Sequence, residues 1–329
     1  MIKKEAISTI SKYYYSTSPK KNIHIGYGVD NNYARCLATS ITSICLNNPQ
    51  NIFIFHIMAD NFTQLTKNKL KQLAEQLKIS IIIYDVNTSY FKSLPTKRDL
   101  PISTYFRFLL PLFVKAQKLI YLDADILCLG NAKKLFNIKL DNNIIGAVKD
   151  TDNMNQTRNT ALNLLNHTYF NAGMLVIDIE KWLSFDVSNK AFYELIKNPL
   201  KYDFLDQDIL NVILSKKIKY LPNTFNCMEL NNIPHKEDII LLHFTARPKP
   251  WHLAWSVNKQ CNDFNKNLYQ NYETLTPFAN SPLIPPQTYK EIEYYAKDLK
   301  RKKYYLQSLK WYLKYLYDGL YNEVRHLEK

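Results

Sequence analysis

The sequence predicts an α/β protein with a mainly parallel central sheet, followed by a basic helical extension. Three observations carry this. Apolar runs of strand length alternate with segments of helical spacing through the first 122 residues, the pattern of repeated strand–helix–strand units. Acidic residues (Asp30, Asp60, Asp85 and Asp123) follow four of the apolar runs, at the carboxyl ends where such sheets receive ligands. From about residue 260 the chain becomes rich in Lys and Tyr.

The elements follow in order. "NIHIGYGV" (22–29) reads as a strand, and residues 31–48 as a helix with Tyr33, Leu37, Ile41 and Ile44 on one face. "NIFIFHIMA" (51–59) is a strand. Residues 63–78 form an amphipathic helix with Leu70, Leu73, Ala74 and Leu77 together, and "ISIIIYDV" (79–86) is the next strand. "ISTYFRFLLPLF" (102–113) is helical and bends or ends near Pro111. "KLIYL" (118–122) is a buried strand leading to Asp123. Beyond it come a strand running into a helix at 171–179, a helix at 206–215, and strands at 218–222 and 239–244. The expected division is an N-terminal extension (1–21), a catalytic domain (22–259) and a C-terminal extension (260–329).

Composition bounds the function. At 329 residues with 46% hydrophobic content the chain can bury a sizeable core. It has no uncharged apolar run of membrane-spanning length, and its start lacks the apolar region of a secretory signal. Five cysteines (36, 45, 128, 227 and 261) form no C-x-x-C pair, so they read as reduced core residues of a cytoplasmic protein. The net charge of +14 calls for an anionic partner. Nucleic acid, acidic lipid and a phosphorylated substrate all qualify. No helix-turn-helix, zinc-ligand or RNA-recognition signature supports the first.

Two carboxylates stand out in "YLDADIL" (121–127). Side chains two apart share a face of an extended chain, so Asp123 and Asp125 converge if the strand conformation persists past Leu122. A divalent cation, magnesium or manganese, relieves their repulsion. The other reading makes them solvated loop residues or caps for "NAKKLF" (131–136). "GYGVDNNY" (26–33) is not a dinucleotide fingerprint, because Asn31 replaces the third glycine and Asp30 would face the pyrophosphate. No glycine-rich phosphate loop exists anywhere, so a bound diphosphate needs a metal and cationic side chains. Asp30 suits a base or ribose, with Tyr33 free to stack; equally, Asp30 or Asn31 caps the following helix.

Taken together, "GYGVDNNY", "STYFRFLLP", "YLDADIL", "YFNAGMLVIDIEKW", "LDQDILNVIL" and "LLHFTARPKPWH" resemble glycosyltransferase family 8 over roughly residues 22–255. More narrowly, "YGVDNNY…SITSICLNN" and the basic C-terminal extension look like the lipopolysaccharide core α-glucosyl- and galactosyltransferases. The resemblance implies a nucleotide-binding domain of the GT-A type and transfer of glucose or galactose from UDP to the lipopolysaccharide core. It implies a metal held by Asp123, Asp125 and His243, with Mn2+ (or Mg2+) the expected ion. It places Asp30, Asn32 and Tyr33 at the uridine, Arg107 and Ala124 near the donor sugar, and Asn171, Ala172 and Gly173 along that sugar. Asp206 and Gln207 fall beside the reacting carbon, and Lys249 on the diphosphate. Ala246 stands where the family often has a glycine contacting phosphate, with Arg247 as a further candidate contact.

The family resemblance also implies retention of the α configuration. A double displacement needs a nucleophile; Gln207 offers only an amide oxygen, and Asp206 and Asp208 flank it. Front-side attack, with the leaving phosphate taking the acceptor proton, is the expectation. The alternatives are another family 8 acceptor, a two-metal phosphodiesterase, which would want further ligands, and a basic nucleic-acid-binding protein.

The helix at 301–317 has five basic residues and no acidic one. Leu306, Leu309, Leu313, Leu316 and Leu320 form a stripe, with Tyr304, Trp311 and Tyr315 opposite. Such a helix suits the cytoplasmic surface of the inner membrane; it also suits packing of the leucines inward with lysines in water. Both hold together if the Lys/Tyr face meets lipid.

Overall fold

The structure is a computed structural model that describes residues 4–13, 22–97, 100–164, 167–228, 236–245, 247–257 and 262–327. Ten strands run in the order β1 (Ile7–Tyr13), β2 (Ile23–Asp30), β3 (Phe53–Asp60), β4 (Ser80–Val86), β5 (Lys118–Leu122), β6 (Ile126–Cys128), β7 (Ile145–Lys149), β8 (Phe170–Asp178), β9 (Ile218–Leu221) and β10 (Leu241–His243). Between and after them lie α1 (Ala34–Asn47), α2 (Gln64–Leu77), α3 (Leu110–Phe113), α4 (Lys133–Phe136), α5 (Asp152–Ala161), α6 (Ile179–Ser184), α7 (Val187–Lys197), α8 (Leu205–Leu214), α9 (Asp263–Glu273), α10 (Tyr289–Arg301) and α11 (Tyr305–Leu327).

Two compact units divide the chain: residues 1–243 with 276–278, and residues 244–275 with 279–329. The first holds an eight-stranded sheet ordered β1-β4-β3-β2-β5-β8-β7-β9, with β10 and β6 paired apart. Four of its seven pairings are parallel. The antiparallel ones place β8 between β5 and β7, so its residues face the end of β5 directly. β1 lies in the stretch read as an extension, yet it closes the sheet's edge against β4. Its polar, alternating sequence buries no residue completely, which is why the apolar pattern did not reveal it.

The segment around Pro111 is a 3-10 helix over Ile102–Phe108, then a single α turn that stops at Val114. It packs on β2 because β2 carries glycines there. A Cβ on Gly28 would stand 2.8 Å from Phe106 Cβ, and one on Gly26 2.7 Å from Leu110 Cδ1. The "GYG" sequence therefore seats the helix that carries Arg107. Tyr105, Phe106, Phe108 and Leu110 are fully buried there, continuous with Trp182 and the apolar faces of α7 and α8.

In the second unit, α10 and α11 pack side by side, and the faces of α11 are reversed from the expected leucines-inward arrangement. Tyr315 stacks on Tyr289 at 4.3 Å between centroids, and Trp311 meets Tyr295 edge-on at 5.5 Å. Ser308 donates from its hydroxyl to the Ala296 carbonyl at 2.7 Å. The aromatics find aromatic partners on α10 and the small Ser308 lets the helices approach. Leu306, Leu309, Leu313 and Leu316 are left 85, 55, 57 and 44% exposed. Leu320 lies beyond the described side chains. No described helix is long and apolar enough to cross a membrane.

Candidate active site

The first unit brings Asp123, Asp125 and His243 together, with one ligand atom from each inside a 4.8 Å span. Strand persistence is not the cause. The chain turns at Ala124 and Asp125 after β5 ends. β6 then pairs antiparallel with β10, placing His243 opposite Ile126 and beside Asp125. His243 Nε2 stands 3.2 Å from Asp125 Oδ1 and 3.9 Å from Asp123 Oδ2.

The backbone fixes which nitrogen of His243 faces the carboxylates. The Gly173 N–H donates to Asn171 Oδ1 at 2.9 Å, so that atom is an acceptor. Asn226 Nδ2 donates to it at 3.0 Å, which turns Asn226 Oδ1 toward His243 Nδ1, also at 3.0 Å. His243 Nδ1 is therefore the donor and Nε2 faces the carboxylates, the orientation that outer hydrogen-bond partners impose on metal-ligating histidines.

Asp123 is oriented as tightly. Its Oδ1 accepts from Tyr121 Oη at 2.7 Å and from Arg107 Nη2 at 3.0 Å, leaving Oδ2 toward His243. The Arg107 guanidinium lies over the Tyr121 ring, 4.4 Å from its centroid. It also bonds the Ala172 carbonyl and pairs through Nε with Asp206 Oδ2 at 2.8 Å. Asp206 is held further by the Thr104 hydroxyl. Burial pushes its carboxyl up to about 6, against the pull of Arg107.

β8 passes directly behind this cluster. The Asp123 N–H donates to the Gly173 carbonyl at 2.7 Å. A Cβ on Gly173 would overlap the His243 ring and stand 2.9 Å from Asp123 Oδ2. Two carboxylates and one imidazole nitrogen, packed against a residue with no side chain, fit a divalent cation that favours oxygen and imidazole ligands.

Gln207, in the first turn of α8, has its amide fixed from both ends. Its Oε1 accepts from the Ala172 N–H at 2.9 Å, and its Nε2 donates to Asp150 Oδ2 at 3.0 Å and Tyr169 Oη at 3.1 Å. Asp150 also accepts from the Thr151 N–H at 2.7 Å and Asn171 Nδ2 at 3.2 Å. Burial raises its carboxyl above the ordinary range. One continuous set of hydrogen bonds thus joins His243 to Gln207.

The model of the family described as "Glycosyl transferase family 8" matches residues 24–254, and that of its C-terminal region matches residues 265–318. The chain belongs to glycosyltransferase family 8. The lipopolysaccharide 1,3-galactosyltransferase of Salmonella typhimurium is 29% identical over 93% of this chain and 94% of its own. The lipopolysaccharide 1,2-glucosyltransferase of Escherichia coli is 33% identical over 71% of this chain and 74% of its own. Among solved structures, the galactosyltransferase LgtC in complex with donor and acceptor sugar analogues has a TM-score of 0.68 at 23% identity, over 78% of this chain and 96% of that one. The fold of this family 8 enzyme is accordingly of the GT-A type.

The remaining residues expected for a family 8 site fall as follows. Asp30 ends β2 and accepts from the Asn32 N–H at 2.8 Å and the Tyr33 N–H at 3.1 Å, so it does cap the turn into α1. Asn32 is exposed and Tyr33 half-buried. Asp60, opposite Asp30 in register, has its carboxyl raised by burial and by Asp30. Lys249 is buried in the second unit, where its ammonium donates to the Phe244 carbonyl. Ala246 lies outside the described residues. Asp150, Tyr121, Tyr169 and Asn226 escaped sequence reasoning. Asp150 had a usable signal, since it follows the apolar run of β7 as Asp123 follows β5, and so did Tyr121, two residues before Asp123; Tyr169 and Asn226 had none.

Proposed function

We propose that the enzyme transfers glucose or galactose from a UDP-sugar to the lipopolysaccharide outer core, with retention at the sugar. The observation that carries this is the convergence of Asp123, Asp125 and His243 beside Asn171–Gly173 and Gln207 in a family 8 chain. The names of the relatives support the acceptor and leave the two hexoses equal. Manganese or magnesium held by Asp123, Asp125 and His243 would offset the charge of the leaving diphosphate. Asp30, Asn32 and Tyr33 receive the uridine. Arg107 and Ala124 border the donor sugar, Asn171, Ala172 and Gly173 line it, and Asp206 and Gln207 stand at its reacting carbon. Lys249 and Ala246 contact the diphosphate. Since Asp206 and Gln207 are both held by hydrogen bonds, retention is better served by front-side attack, the leaving phosphate accepting the proton of the incoming hydroxyl.

A hydrolysis panel of UDP-glucose, UDP-galactose, ADP-glucose and NAD, with and without manganese, tests this reading. One UDP-hexose is expected to turn over, only with the metal, and UDP is expected to raise the melting temperature only in its presence. Equal stabilisation by NAD, or turnover in EDTA, would defeat it.

The enzyme works, on this reading, at the cytoplasmic face of the inner membrane, without nucleic acid as a partner. The exposed leucines of α11 enter the interface and Lys302, Lys303, Lys310 and Lys314 meet anionic headgroups, each basic residue contributing on the order of 1 kcal/mol. Replacing Leu306, Leu309, Leu313 and Leu316 by Gln leaves the α10-facing residues intact. Binding to vesicles rich in phosphatidylglycerol is then expected to fall at least about tenfold, with donor hydrolysis unchanged. Unaltered vesicle binding would remove α11 as the anchor.

A further inference from the structure

We propose that Tyr169 and Asp208 are positioning residues that hold Gln207 in register with the donor sugar. The inference rests on the reading of Gln207 as the residue beside the reacting carbon. Both N–H groups of its amide are taken, by Asp150 Oδ2 at 3.0 Å and Tyr169 Oη at 3.1 Å, and its carbonyl already accepts from the Ala172 N–H at 2.9 Å. What Gln207 can offer a sugar is therefore the second lone pair of Oε1, and its direction depends on those three contacts.

Tyr169 is an acceptor for Gln207 because its own proton is committed elsewhere. Its hydroxyl donates to Asp208 Oδ1 at 2.6 Å. Asp208 is wholly buried, and donors fill both of its oxygens. Oδ1 also takes Arg158 Nε at 3.2 Å, and Oδ2 takes Arg158 Nη2 at 2.6 Å and the Phe204 N–H at 2.9 Å. Four donors match the acceptor capacity of a carboxylate. That leaves Asp208 nothing for a substrate, although it neighbours Gln207 in sequence.

The same carboxylate shapes the start of α8. Leu205, fully buried, has φ 38°, a left-handed conformation unusual for leucine, one residue before Asp206 and two before Gln207. Such backbone persists where surroundings over-determine it, and the Asp208 bond to the Phe204 N–H is one restraint. Asn211 supplies another support independent of Tyr169: its side chain accepts from the Phe170 N–H at 2.9 Å and donates to the Phe170 carbonyl at 3.0 Å. Loss of the Tyr169 hydroxyl alone therefore leaves α8 docked on β8, while it releases one N–H of the Gln207 amide and removes one of the four donors to Asp208.

The test is the steady-state hydrolysis of whichever of UDP-glucose and UDP-galactose the full chain turns over, with manganese. The variants are Tyr169→Phe, Gln207→Ala, their combination, and Asp208→Asn. Tyr169→Phe is expected to lower kcat about tenfold, as small misplacements of a reacting group do, with KM for the donor within about twofold. In the Gln207→Ala background Tyr169→Phe is expected to cost nothing more, because both changes act through one side chain. An unchanged kcat in Tyr169→Phe, or an equal further loss in the Gln207→Ala background, overturns the inference. A folded Asp208→Asn protein losing about a hundredfold more than Tyr169→Phe also overturns it, since Asp208 would then react itself. Wild-type kcat in Gln207→Ala would instead remove the reading of Gln207, and this inference with it.

Discussion

Asp125→Asn is expected to abolish transfer while leaving the melting temperature unchanged or slightly raised. Asp125 sits in the turn between β5 and β6, outside the packed core, so its substitution opens no cavity. What changes is charge. The cluster around His243 Nε2 goes from two carboxylates to one, and the like charge facing Asp123 disappears. Relief of repulsion favours the folded chain, while weaker ligation of the proposed metal would remove the charge that the proposed diphosphate leaving group needs. A loss of about 1000-fold corresponds to roughly 4 kcal/mol of barrier, a plausible share for one ligand of a metal acting on phosphate. The measurement pairs a transfer assay with thermal unfolding and manganese titration. Wild-type activity in EDTA, or tight manganese binding by the variant, would contradict the assignment of these ligands.

Gly173→Ala is expected to be nearly as damaging to activity, through the addition of one methyl group. The β8 backbone runs against the cluster so closely that the new Cβ would overlap the His243 ring and press on Asp123 Oδ2 at 2.9 Å. The ring cannot retreat freely, because His243 is buried and Nδ1 is tied to Asn226. Nor can β8, whose Gly173 carbonyl accepts from Asp123 and whose neighbours pair on both sides. Overpacking of this kind costs about 1–3 kcal/mol of stability. The displaced ligands should weaken manganese binding by at least ~10–100-fold, the range seen when metal ligands lose their support. Isothermal titration with manganese measures this. Binding as tight as in the unaltered chain would mean that Gly173 does not constrain the ligand set.

Much of the fold was legible because strands β2 to β5 are buried over most of their length and read as mainly apolar runs. Asp123 and Asp125 were legible from type and spacing and His243 only through the family resemblance, and the convergence of the three depends on the β6–β10 pairing, which the spacing of Asp123 and Asp125 does not encode. The leucines-inward arrangement of α11 failed for a physical reason. Both of its faces are apolar, and periodicity locates faces without saying which is buried. Tyr289 and Tyr295 on α10 decided it by stacking with Tyr315 and Trp311. Tyr169 and Asn226 were invisible because a hydrogen bond between distant segments leaves no local pattern, whereas Tyr121, two residues before Asp123 on one strand face, had a local signal that went unread. Gln207 and Asp208 were legible as candidates, but only the placement of Arg158, Tyr169 and Asp150 separates their roles.

β1 has a further consequence, for the protein's behaviour among other proteins. Among the described strands, β1 from Ile7 to Tyr13 is the one paired along the outer side of β4, where Ile81, Ile82 and Ile83 run consecutively. Stripped of β1, that row of backbone donors and acceptors would be an adhesive margin on an isoleucine-rich strand, open to the same margin on another molecule. A chain begun at Ile23 should keep its ligand cluster and lose its colloidal good manners, with light scattering rising with concentration at temperatures the full chain tolerates. The short, polar strand that looked least like part of the fold covers an edge that would otherwise be open.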